Sequence, residues 1–360
     1  MLPEIWRRWR NRLTADPRFI AFAQAFPLTR PIARKRSRQL FDLVAGFSYS
    51  QVLYSCVQLN LFERVGQSGK TITMLSQIVG WDESKTLRLI KAAAALDLLE
   101  LHGDKVSLGI HGAALLGQPW IMRFIAHHHL FYEDLNDPIG LLSGEKQPHH
   151  LKSYWDYNDD PKTKADYTAL MAASQAAVAA EILNAYDFGT HQTVLDVGGG
   201  DGSFLRALGS KHPNIKRQLF DLPGVINIAK AHSDNASTET YPGHFTNDPL
   251  PVGADVVTLI RVAHDHDDAV VRLALRNVYQ CLRNGPARPS ALILAEQMSG
   301  NRATAPVTDV YFNLYFAAMG QGRTRTPGEL IDMAREAGFS RHRQVPTRNP
   351  LITSVLIFEL

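Results

Sequence analysis

Cysteine is nearly absent from this chain of 360 residues: Cys56 and Cys281 are its only two, and they lie far apart in sequence. That excludes a disulfide framework and a cysteine-based zinc site, and it fits a reducing cytoplasm. Long apolar runs are lacking too. The stretch FIAFAQAFPL (Phe19 to Leu28) is broken by Gln24 and followed by more arginine, well short of the roughly 20 residues a spanning helix needs. No signal peptide or transmembrane segment is therefore expected. Internal repeats are missing, which excludes a solenoid, and there is no low-complexity tract.

Acidic residues are scarce in one place only. Residues 1–38 hold ten Lys/Arg against Glu4 and Asp16, so the net charge of +3 conceals a basic arm on a chain with 28 basic and 33 acidic residues elsewhere. Trp6, Trp9, Phe19, Phe22 and Phe26 interleave with this charge. The pattern suits an anionic membrane surface or an acidic partner, and equally an arm that wraps a neighbouring subunit. Nucleic acid is not expected, because no recognisable nucleic-acid module accompanies the charge.

What is present is ample apolar content, 45%, on a chain longer than one core usually serves, so more than one domain is expected. After the arm, Arg38 to Val65 repeats apolar residues at helical spacing, which predicts one or two long buried helices whose small and aromatic residues serve core or interface. TITMLSQIVGWDESKTLRLIKAAAALDLLELHGDKVSL then reads as helix, turn, helix and a short hairpin at Gly103–Asp104, the pattern of a winged helix. Its second helix sets Lys85, Arg88 and Lys91 against Asp82, Glu83 and Asp97, a weak footprint for gripping DNA. Residues 112–187 read as helical, with a polar, proline-containing interruption from Ser143 to Lys164 that can cap or line a cavity. From Thr193 the rhythm changes: TVLDVG, KRQLFDL, ADVVTLI and ALILAE alternate with helical stretches, as in a parallel sheet with crossover helices. The expected organisation is an arm (1–38), a helical and winged-helix region (39–187), and a Rossmann-like α/β domain (188–360).

VLDVGGGDGSFLRAL places a strand, a glycine turn and a helix start in sequence, so that backbone N–H groups approach a ligand. The spacing identifies the ligand class. Gly198, Gly200 and Gly202 run G-x-G-x-G rather than the dinucleotide G-x-G-x-x-G, and no Lys-Ser/Thr follows for a phosphate. With Asp196 just before it, the loop resembles the first motif of S-adenosylmethionine-dependent methyltransferases. Asp221, closing the next strand, is placed to accept hydrogen bonds from ribose hydroxyls.

The segment RVAHDHDD, Arg261 to Asp268, crowds two histidines and three acids just past the end of ADVVTLI, where ligands lie in open α/β sheets. A metal site needs three or four convergent ligands, and no second cluster is spaced to complete one, so no metal is expected. His264 suits a general base, beside Asp265. Methyl transfer to oxygen asks the protein to align the acceptor and remove its proton. Glu296, ending LILAE, is the expected orienting acceptor for the other ring nitrogen. A loop histidine that merely completes a hydrogen-bond network stays open as the alternative.

VLDVGGGDG, FDLPGVI, GHFTNDPLPVGADVVTLIRVAHDHDD, LILAEQM and GRTRTPGELIDMAREAGF resemble, in order, the motifs of the plant-type small-molecule O-methyltransferases. The likeness implies an α/β methyltransferase domain preceded by a winged-helix dimerisation domain, an S-adenosyl-L-methionine cofactor and a homodimer. It also implies cofactor contacts at Asp196, Gly198, Gly200, Asp221, Leu222, His244, Phe245 and Arg261. FPLTRPIARKRSRQLFDLVAGFSYSQVL and TDVYFNLYFAAMGQGRTR are similar, more closely, to the branch of that family in purple phototrophic bacteria that methylates the tertiary 1-hydroxyl of acyclic carotenoids. The acceptor would then be an apolar hydroxycarotenoid, the protein would be cytoplasmic or peripheral on the membrane, and Met171, Phe312, Tyr315, Phe316 and Met319 are candidates for its pocket or for ordinary core. Three positions depart from the family: His266 stands where it has tryptophan, Thr324 where the plant enzymes have a second glutamate, and His244 where it has aspartate. A phenol, quinone or polyketide acceptor, and a dimer that binds the donor without transfer, remain alternatives.

Overall fold

The computed structural model of the chain describes residues 2–145, 147, 150–155, 161–286 and 289–360, without the side chains of residues 2, 3, 155, 161–169, 171 and 172. The pocket candidate Met171 and much of the Ser143–Lys164 stretch therefore lie outside the described residues. By contact the chain divides into two compact units, Met1–Gln118 and Pro119–Leu360.

The first unit runs α1 (Leu2–Thr14), α2 (Pro17–Ala25), α3 (Arg30–Gln58), α4 (Leu61–Val65), β1 (Lys70–Thr71), α5 (Ile72–Val79), α6 (Glu83–Ala95), β2 (Leu99–His102), β3 (Lys105–Leu108) and α7 (Ile110–Leu116). Thr71 and Asp82 cap α5 and α6 with side-chain oxygens, accepting from Met74 N and Lys85 N. The strands form a sheet of order β1-β3-β2, so the helix, turn, helix and hairpin read from the sequence are all present. The long helix expected within Arg38–Val65 exists, but the expectation that it is buried fails. Only Cys56 and Val57 of α3 are buried, while Leu40, Phe41, Leu43, Val44 and Phe47 are 64–82% exposed. Leu40, Leu43, Val44 and Phe47 recur at i, i+3, i+4 and i+7, an apolar stripe that the described residues leave uncovered.

The second unit opens with α8 (Pro119–Ala126), α9 (His128–Asp134), α10 (Pro138–Ser143), α11 (His150–Trp155) and α12 (Pro161–Ala185). These helices belong by contact with the sheet that follows, earlier than the boundary expected near residue 187. The cause is visible in α12, whose Val178, Ala179, Ile182 and Leu183 bury against Val194 of the sheet and Phe204 and Leu205 of the helix Ser203–Lys211.

The α/β part comprises β4 (Thr193–Val197), α13 (Ser203–Lys211), β5 (Lys216–Asp221), α14 (Pro223–Ala231), β6 (Thr238–Pro242), β7 (Val256–Ile260), α15 (Asp268–Arg283), β8 (Ala291–Glu296), α16 (Asn313–Met319), α17 (Pro327–Ala337), β9 (Arg341–Val345) and β10 (Ser354–Glu359). Its seven strands lie in the order β6-β5-β4-β7-β8-β10-β9. The first five in that order are parallel, and β10 pairs antiparallel with β8 and β9. Every residue of β7 and β8 is buried, as a parallel sheet covered on both faces requires. Chain order runs outward from β4 through β5 to β6, then returns to β7 on the other side. Between β4 and β7 lies the switch point, where a crevice opens beyond the carboxyl ends of the strands.

Candidate active site

Both loops that flank the switch point are unusual in backbone. After β4, Gly198, Gly200 and Gly202 all have positive φ, at 70°, 62° and 80°. At Gly198 a Cβ would sit 2.7 Å from Val262 Cγ2, so the loop turns tightly against the segment that follows β7. Gly198 N donates to Phe220 O at 2.8 Å and Gly200 N to Asp221 Oδ2 at 2.8 Å, which ties the turn to the end of β5. Asp221 Oδ1 accepts from Leu222 N at 2.7 Å, leaving lone pairs on both oxygens for a ligand hydroxyl. Asp196 does not reach the cleft; it is fully buried beneath the loop and accepts from Thr258 Oγ1 at 2.6 Å.

After β7, Arg261 takes φ 57°, the left-handed region that a side chain with a Cβ rarely adopts. This bend ends the strand abruptly and lets the next turn, a 3-10 turn at Ala263–Asp265, cross the mouth of the crevice. His264 is 3% exposed and lines the cleft with Asp265 and His266. Glu296 closes the adjacent β8, and its Oε2 accepts the backbone N–H of His264 at 2.9 Å. The sequence reading assigned this carboxylate to a ring nitrogen; the structure places it on the main chain, because the strand end faces the backbone of the 3-10 turn. The imidazole instead has Nε2 3.4 Å from Asp265 Oδ1, while Nδ1 and Glu296 Oε1 are buried with no hydrogen-bond partner.

Electrostatics keep this histidine neutral. Burial pushes the His264 pKa well below 6.5, and the charges of Arg261 and Arg325 act in the same direction. Burial raises Glu296 to about 8 and Asp265 to about 7. The turn therefore presents a neutral imidazole whose Nδ1 has no hydrogen-bond partner, backed by a carboxyl group that burial keeps protonated.

A further segment holds the turn in place. Arg325, completely buried, donates to Ala263 O and His266 O at 2.7 Å each and to Asp268 Oδ1 at 2.7 and 3.0 Å. Arg323 N donates to His264 O at 2.9 Å. Gly322, at φ 79°, lies so close that a Cβ would stand 2.3 Å from His264 O. Thr324, where a glutamate stands in the plant enzymes, is buried and donates to Asn313 Oδ1 at 3.3 Å.

The remaining wall of the cleft is aromatic. Phe312, Tyr315, Phe316 and Met319 line it, and the His264 ring centroid lies 5.2 Å from that of Phe316 and 6.4 Å from that of Phe312. Tyr315, Phe316 and Met319 also pack with Phe131, Leu141 and Leu151, so these residues are pocket wall and core together. Sequence reading saw no role for His127 and His128. Their Nε2 atoms lie 2.7 Å from the Tyr315 hydroxyl and 2.8 Å from the Tyr311 hydroxyl, and burial lowers their pKa values to about 3 and about 4. On the glycine-loop side, His244 stacks on Phe245, and Phe245 meets His266 edge to face at 5.2 Å. All expected cofactor and catalytic positions except the buried Asp196 and Glu296 line this one cleft. Among the described residues no group of three or more His, Cys, Asp or Glu is placed to hold a metal ion.

A doubly wound sheet with a glycine turn, an acid closing the next strand and a buried histidine at the switch point defines a class. Residues 132–340, more than half of the chain, match the O-methyltransferase domain, and the chain belongs to that family of enzymes. Among its relatives, the demethylspheroidene O-methyltransferase of Cereibacter sphaeroides is 36% identical over 96% of this chain and 93% of that protein. The enzyme of the same name from Rhodobacter capsulatus is 36% identical over 96% of this chain and 88% of its own length. Among solved structures, a mitomycin 7-O-methyltransferase superposes with TM-score 0.75 at 21% identity, covering 92% of this chain and all of the other. Human N-acetylserotonin methyltransferase in complex with SAM superposes with TM-score 0.71 at 21% identity, covering 90% and 97%.

Proposed function

We propose that this O-methyltransferase methylates the hydroxyl of an apolar hydroxycarotenoid, with His264 as general base. The observation that carries the reading is the placing of one neutral, buried imidazole between a glycine-loop cleft and an aromatic wall. Names of the relatives at 36% identity support the carotenoid acceptor.

The donor site fits S-adenosylmethionine by its charge. Asp201, Asp221 and Asp265 line the cleft, and among the described residues Arg261 is the only arginine or lysine that does. Such a lining disfavours a phosphate and suits a ligand that carries a sulfonium and an ammonium group. Gly198 and Gly200 would admit its amino-acid end, Asp221 its ribose, and Leu222, His244 and Phe245 its adenine. When bound, the donor supplies a methyl group on a good leaving group. The protein's own task is to align the acceptor oxygen and receive its proton. Nδ1 of His264 is the free acceptor for that proton, and Glu296 fixes the backbone that carries it. A tertiary alcohol is far less acidic than a phenol, so proton removal accompanies formation of the C–O bond.

Two surfaces support the assembly. The uncovered stripe Leu40, Leu43, Val44 and Phe47 on α3 suits a second copy of the chain, giving a homodimer. On α1, Ile5, Trp6, Trp9 and Leu13 fall within roughly 100° of arc, flanked by Arg10 and Arg12. Ile5, Trp6 and Trp9 are 58–64% exposed, and this basic, tryptophan-bearing face suits an anionic membrane surface where an apolar acceptor resides. No helix among the described residues is long and apolar enough to cross a membrane.

The test is incubation of the purified protein with methyl-labelled S-adenosylmethionine and detergent-dispersed 1-hydroxyneurosporene, followed by mass analysis. Label in a carotenoid methyl ether is expected. Label only in phenolic or quinone acceptors would overturn the substrate, and donor binding with no transfer to any hydroxyl would overturn the enzyme reading for this chain.

A further inference from the structure

A completely buried arginine in a cleft-side segment calls for a reason, because a buried charge is costly unless paired and fully hydrogen-bonded. We infer that Arg325 is a positioning residue that clamps the turn bearing His264 and fixes where its imidazole meets the acceptor. Its guanidinium spans the turn: Nη1 bonds Ala263 O, just before His264, and Nη2 bonds His266 O, two residues after it, both at 2.7 Å. Nε and Nη2 both bond Asp268 Oδ1 at the start of α15. One planar group thus ties three points of a six-residue segment, a geometry that lysine with its single ammonium cannot reproduce.

The clamp has its own anchor. Arg325 immediately precedes the capping box of α17, in which Thr326 Oγ1 accepts from Glu329 N at 3.2 Å and Glu329 Oε2 accepts from Thr326 N at 2.8 Å. Ser299 N also donates to Arg325 O at 2.9 Å, so the backbone is held on both sides. Asp268 is shared with Arg323, which lies at 3.0 Å, so one carboxylate balances two guanidinium groups. The charged and titratable groups around His264 are Asp265, Glu296, Arg261, His266 and Arg325, and Arg325 favours the neutral imidazole.

This inference rests on His264 being the base, and its test separates the two ideas. In Arg325→Met, kcat for methyl transfer is expected to fall about a hundredfold through misplacement alone, with donor affinity essentially unchanged. Loss of the positive charge also moves the acid limb of the kcat profile to higher pH. Arg325→Lys keeps an interior charge; its acid limb should stay where it is in the wild type while kcat recovers only in part. A Met variant with wild-type kcat would overturn the clamp. So would Met and Lys variants alike in both rate and pH profile, or a loss of donor binding that parallels the loss of rate. Full activity in His264→Ala together with a defective Arg325→Met would instead discard the base, and with it the placing of the imidazole, leaving Arg325 only as a support of the turn's backbone.

Discussion

The two loops at the switch point are built by opposite means. The glycine loop is held by its own neighbourhood, through backbone bonds to β5 and an acid that closes that strand 21 residues on. The His264 turn is held from a distance. Glu296 lies 32 residues away in sequence, and Arg325 lies 62 residues from the Ala263 carbonyl it grips. A binding turn that needs only close backbone approach can be made by local residues. A base must be fixed in position and kept neutral inside the protein, and that takes side chains from several elements.

The largest effect should separate the loops by function. Replacing His264 with alanine is expected to lower kcat by about 10²–10⁴-fold, the usual contribution of a general base, with unchanged donor affinity by calorimetry. The converse variant, Asp221→Ala, should weaken donor binding about tenfold to a hundredfold, as expected for lost hydrogen bonds to a charged group, while kcat at saturation changes little. An equal fall of both quantities in either variant would erase the distinction.

Remote support can be tested without touching a polar group. Gly322→Ala places a Cβ against His264 O in a backbone conformation that favours glycine, so the turn must shift. We expect kcat to drop about tenfold or more, since small displacements of reacting groups are costly. Titration gives a subtler sign. As the proposed base, His264 would act only when neutral, and its pKa is lowered, so kcat should hold through pH 6.5 and fall only below it. An acid limb above 6.5 would show that the turn does not enforce a neutral ring. The smallest effect lies under the glycine loop, where Thr258→Val removes the bond to Asp196 and should cost about 1 kcal/mol in thermal unfolding, with normal kcat.

The same contrast explains how much could be read from the sequence. Four of the seven strands, β4, β5, β7 and β8, announced themselves as short apolar runs, while β6, β9 and β10 were not read, and the glycine turn, Asp221 and His264 stood in order beside those four, because each signal spans only a few residues. Glu296 was found, but its bond to a backbone N–H rather than a ring nitrogen depends on the orientation of a turn that no pattern encodes. Arg325 and Gly322 were passed over because nothing local marks an arginine as buried or a glycine as pressed against a distant carbonyl. His127 and His128 went unassigned because their tyrosine partners are 188 and 183 residues away. Helical spacing predicted α3 correctly, yet spacing reports that a face is apolar and not what covers it, so its exposed stripe came as a correction.

The most direct measurement is a single-turnover experiment with wild type and His264→Ala, each saturated with labelled S-adenosylmethionine and supplied with the hydroxycarotenoid. The account predicts matched donor occupancy and a transfer rate at least about a hundredfold slower in the variant, the usual scale of base catalysis. Equal transfer rates at equal occupancy would contradict it, and would return His264 to the role of a loop residue.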